Sequence, residues 1–87
     1  MNTGHSEIAL GDEYDAALIA RLEAVVIAQG GTFSELSWHM AGSQELITYS
    51  IKLPSGELTA TCETYTGLVL HGPTELVRKL FDAVQPA

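Results

Sequence analysis

Leu46-Ile47-Thr48-Tyr49-Ser50-Ile51-Lys52-Leu53-Pro54-Ser55-Gly56-Glu57-Leu58-Thr59-Ala60-Thr61-Cys62-Glu63-Thr64 is the stretch whose pattern decides the fold. Its first eight residues set Ile47, Tyr49, Ile51 and Leu53 against Thr48, Ser50 and Lys52, the period of two expected of a half-buried strand. Pro54-Ser55-Gly56-Glu57 is a turn signal, and after it Leu58, Ala60 and Cys62 resume the inward phase. A slip of one residue between these strands would expose the apolar set, so pairing must keep both sets on one face. The pattern predicts Leu53 opposite Leu58, Ile51 opposite Ala60 and Tyr49 opposite Cys62.

Upstream, Phe33 to Met40 alternates in the same way and predicts a strand with Leu36, Trp38 and Met40 facing the core and Ser37 and His39 facing away. Ala41-Gly42-Ser43-Gln44 connects it to the next strand. Glu13 to Ala28 predicts a helix, capped by Asp12, with Leu18, Leu22, Val25 and Val26 on its apolar face and Tyr14 and Ile19 at the flanks. Gly30-Gly31 ends it, because glycine takes the left-handed conformation that stops helices. Residues 1–10 show no periodicity and predict a flexible N-terminal tail, which leaves 11–87 as a single α+β domain.

Downstream, Thr66-Gly67 signals a turn or bulge, and Leu68-Val69-Leu70-His71 fits either a continued third strand or a short fourth. Gly72-Pro73-Thr74-Glu75 opens a last helix, amphipathic through Leu76, Val77, Leu80, Phe81 and Val84. The order α-β-β-β-(β)-α predicts a two-layer α+β fold, a small antiparallel sheet with both helices on one face. The other face carries Ser37, His39, Thr48, Ser50, Lys52, Thr59, Thr61 and Glu63.

Function is constrained mainly by composition. Eleven acids against four bases give a net charge of −7, which opposes direct binding to nucleic acid because phosphates are held by Lys and Arg. No stretch is apolar enough to span a membrane, the first residues lack the features of a signal peptide, and Cys62 is the only cysteine, so the expected compartment is the cytoplasm. His5, His39, His71 and Cys62 do not stand at metal-ligand spacings, and no nucleotide or triad motif occurs; neither a metal nor a cofactor is expected.

Three functional readings remain. The first is a small acidic, non-catalytic interaction or regulatory module, a homodimer in which the ridge of Ala16, Ala20, Ala24 and Ala28 lets helices approach or the open sheet face pairs with its mate. The second is an acidic decoy or inhibitor of a basic protein, docking through Glu7, Asp12, Glu13, Asp15 and Glu23. The third is a small enzyme or ligand-binding protein using His39 and Glu63 on the open sheet face as an acid–base pair. For each group an ordinary structural role competes: alanines favour helices, acids favour a first helical turn, and polar residues favour a wet sheet face.

Overall fold

The computed structural model of the chain describes residues 4–11, 15–64 and 66–85. The elements run β1 (His5–Gly11), α1 (Ala16–Ala28), β2 (Thr32–Ala41), β3 (Gln44–Leu53), β4 (Gly56–Glu63), β5 (Gly67–Pro73) and α2 (Thr74–Val84). All five strands form one antiparallel sheet in the order β1-β5-β4-β3-β2, so β1 and β2 are its edges. Both helices pack on one face, where Leu22 and Val26 of α1 and Val77, Leu80 and Val84 of α2 close over Ile51, Ala60, Cys62, Leu68 and Leu70. This is the α+β fold expected of the sequence, with one strand more at its start.

That strand corrects the expected tail. His5–Gly11 pairs with β5 from His5 opposite Pro73 to Gly11 opposite Leu68. Ile8 and Leu10 alternate with Glu7 and Ala9, too short an apolar pattern to stand alone, but the free edge of β5 supplies the hydrogen bonds and the core supplies the contact. Thr74 N–H donates to the Gly4 carbonyl at 3.2 Å, and the Ser6 and Thr74 hydroxyls lie 2.7 Å apart, which ties β1 to the start of α2.

The first helix begins later than its apolar pattern implies. Asp15 is extended, with φ −144°, and its Oδ1 accepts from Ala17 N at 3.0 Å and Leu18 N at 3.2 Å, so it is the cap. Asp12, Glu13 and Tyr14 lie outside the described residues. At the other end Gly30, with φ +81°, donates to Ile27 O and Gly31 donates to Val26 O, both at 2.9 Å. This reciprocal pair is the glycine stop that Gly30-Gly31 predicts. Arg21 Nη1 donates to the last carbonyl of α2, Val84, at 3.3 Å, which joins the two helices.

Between β3 and β4 the predicted faces hold but the register moves by two residues. Leu53 pairs with Gly56, Ile51 with Leu58, Tyr49 with Ala60 and Ile47 with Cys62. The hairpin closes on Pro54 and Ser55 alone, whereas the sequence reading gave the turn four residues; a shift of two leaves every side chain on its own face. β5 folds back on β4 as a separate strand, with Gly67 opposite Glu63, which settles the ambiguity at Leu68–His71.

β2 departs from the expected alternation. Leu36, Trp38 and Met40 are not core residues but are 61%, 50% and 55% exposed. A bulge between Glu35 and Ser37 breaks the alternation, so Leu36 joins the open face while Trp38 and Met40 stay in line with Ile47 and Glu45 on the helix side. α1 packs chiefly against α2 and in the sheet touches β2 and β3 only lightly, and Trp38 and Met40 beyond the bulge stay exposed. The far half of β2 therefore has no helix above it, and Trp38 satisfies its indole N–H on Glu45 of the neighbouring strand instead.

Candidate functional site

The open sheet face is built in rows by the strand register. One row runs Glu7, His71, Thr59, Ser50, Ser34 across all five strands. Within it the imidazole of His71 is held from both sides. Its Nε2 lies 2.9 Å from the Thr61 hydroxyl, and its Nδ1 lies 3.4 Å from a carboxylate oxygen of Glu7. The two contacts meet the ring from opposite sides, the Thr61 hydroxyl at Nε2 and the Glu7 carboxylate at Nδ1. The His71 side chain is 30% exposed and that of Glu7 is 74% exposed, so this contact is largely solvated.

A hydroxyl, an imidazole and a carboxylate in line have the order of a nucleophile, a base and its orienting group. Acyl transfer also needs N–H donors aimed at a developing oxyanion, and the interior strands around Thr61 use theirs in the sheet ladder. What the arrangement supplies is a polar wall on the open face.

Beside that wall lies a groove of about 370 Å³, lined by His5, Leu36, Ser50, Glu57, Leu58, Thr59, His71, Gly72 and Pro73. Ser50 and Thr59 belong to its floor, and Leu36, thrown to this face by the bulge, stands on β2 across from the β1–β5 side. Gly72, at φ +153°, lets β5 run close to β4; a Cβ there would fall 2.6 Å from that of Leu58.

His39 and Glu63 both lie on the open face, in one row on either side of Leu46. The structure does not bring them together, because β3 stands between their strands and two strand spacings are roughly 10 Å. Glu63 accepts instead from Gln44 Nε2 at 3.0 Å. Of the acids grouped by sequence, Glu7 contacts His71, Asp15 caps α1 and Glu23 is exposed on α1, while Asp12 and Glu13 lie outside the described residues. Ala16, Ala20, Ala24 and Ala28 are all exposed on α1.

Cys62 is buried against the sheet core, and burial, with Glu45 nearby adding to it, pushes its thiol pKa up. It stays a neutral core residue rather than a nucleophile. The meeting of His71 with Glu7 and Thr61 is hidden in the sequence because Glu7 falls in the expected tail; the alternation of Glu7 and Ala9 with Ile8 and Leu10 is the one local sign of a strand there. No group of three or more metal-ligating side chains occurs among the described residues, and none of their helices is long and apolar enough to cross a membrane. Comparison with known proteins adds no relative: no family model, curated protein or solved structure matches this chain.

Proposed function

We propose that the chain is a non-catalytic interaction module that works as a homodimer, formed by pairing of the far half of β2 with the same segment of a second copy. One observation carries this reading: β2 is a sheet edge, ten residues long, that leaves Trp38 half exposed and Met40 more so beside unpaired backbone groups. Edge strands are commonly guarded by Lys or Pro, and residues 32–41 contain neither. An apolar edge of this kind accepts another strand, which gains ladder hydrogen bonds and covers the side chains.

The chemistry of the edge favours a second copy over a basic partner. Residues 36–41 hold no Asp, Glu, Lys or Arg, so two chains of net charge −7 meet there without opposing like charges. A two-fold axis through the strand pairs the segment antiparallel with itself, and each protomer supplies the same patch. Docking of a basic protein has less to use, since Glu7 and Asp15 already serve contacts within the chain.

Sedimentation equilibrium across the micromolar range tests the reading. A dimer is expected in the wild type and a monomer in the double variant Trp38→Ser, Met40→Ser, with an unchanged far-ultraviolet spectrum. A wild type that stays monomeric throughout, or a double variant that dimerises as well, overturns it.

A further inference from the structure

We infer that the groove on the open sheet face is a binding site for a small organic cation, an ammonium group carried on an apolar or aromatic body. The site is separate from the helix-side patch of Trp38 and Met40 and serves a different class of ligand.

Its shape and lining carry the inference together. At about 370 Å³ the groove falls in the range of small-molecule sites. Leu36 and Pro73 offer apolar contact, and Leu36 is a large aliphatic side chain left 61% exposed at this place. The hydroxyls of Ser50 and Thr59 and the ring of His5 add polar groups of either sense. The ring of His71 contacts Thr61 and Glu7, which restricts the orientation it presents to the groove. A preorganised wall lowers the ordering cost of binding.

Charge selects the ligand. Glu57 is the one carboxylate in the lining, and Lys and Arg are absent from it. Lys52 stands opposite Glu57 in the ladder, yet no ion pair between the two occurs among the described residues. The carboxylate is thus an acceptor without a fixed donor at the edge of an apolar-walled groove, on a chain of net charge −7. An ammonium group satisfies it, and a carboxylate or phosphate ligand meets repulsion with no Lys or Arg in the lining to hold it.

The test uses the full chain and two probes that share a body and differ in charge, phenethylamine and phenylacetate. Nitrogen–proton spectra of labelled protein are followed during titration with each at constant ionic strength. Phenethylamine is expected to shift the amides of Ser50, Thr59 and Gly72 and the ring protons of His5 in one saturable curve, and phenylacetate to leave them in place. Glu57→Gln, at an exposed position, is expected to keep the fold and weaken phenethylamine by about tenfold, the scale of one charge-assisted contact. Leu36→Ser is expected to weaken it through the apolar wall. Equal binding of both probes, undiminished binding by Glu57→Gln, or absence of a saturable shift with phenethylamine overturns the inference.

Discussion

Asp15, Trp38 and Cys62 each do something that their neighbours in sequence do not dictate. Asp15 supplies a side-chain acceptor to two N–H groups in the first turn of α1, so Asp15→Ala is expected to cost about 1 kcal/mol and Asp15→Asn much less, read as a shift in the urea midpoint. Trp38 lies half exposed on an edge strand rather than between sheet and helices. In dilute, monomeric protein its fluorescence should be red-shifted and quenched by iodide, and Trp38→Ala should cost about 1 kcal/mol or less, far below a core truncation. A blue-shifted, unquenched Trp38 in the monomer would contradict the strand phase described here. Cys62 is held as a neutral thiol by burial and, secondarily, by Glu45. Its folded pKa lies above that of the unfolded chain, so the associated stability is complete below the ordinary thiol range and declines as pH rises from there through the folded value. A Cys62→Ala variant should lose that alkaline decline, and the native thiol should react with a disulfide reagent only as fast as the chain opens.

At the scale of elements, β1 and the β3–β4 hairpin are where local pattern and tertiary pairing part ways. β1 has two inward apolar residues, Ile8 and Leu10, and gains its place from the β5 edge and the start of α2. Deleting residues 1–10 should therefore behave as loss of a sheet strand: a lower unfolding midpoint, a smaller denaturant slope and loss of amide protection in β5. A truncated chain with the stability of the whole would return β1 to the status of a tail. The β3–β4 register turns on a connection of two residues rather than four. Both registers satisfy the alternation, because a shift of two preserves faces, and the choice falls to the tight closure at Pro54 and Ser55.

Across the whole molecule, one sheet face is covered by helices and the other is open, with a groove near the β5–β4 junction and an uncovered strand at the β2 edge. The open face is polar and lacks a basic stripe: of the four bases, Arg21 ties α1 to α2, Lys52 is on the sheet, and Arg78 and Lys79 are on α2. Anisotropy titration at physiological salt is expected to show no association with duplex DNA or RNA, because scattered bases release few counterions against the net charge of −7. Micromolar binding with a steep salt dependence would contradict that expectation.

Periodicity alone determined α1 through its apolar face and glycine stop, α2 through its amphipathic pattern, and the inward phases of β3 and β4, because each of these is a local repeat matched to one element. The same repeat misled at Trp38 and Met40. Phase fixes which way a side chain points, whereas exposure depends on whether another layer lies above it, and α1 leaves the far half of β2 bare. The contact of Thr61, His71 and Glu7 joins residues as much as 64 positions apart through two strand pairings. No local pattern contains such a meeting; the sheet order and register created it, and they likewise placed Leu46 and the β3 backbone between His39 and Glu63.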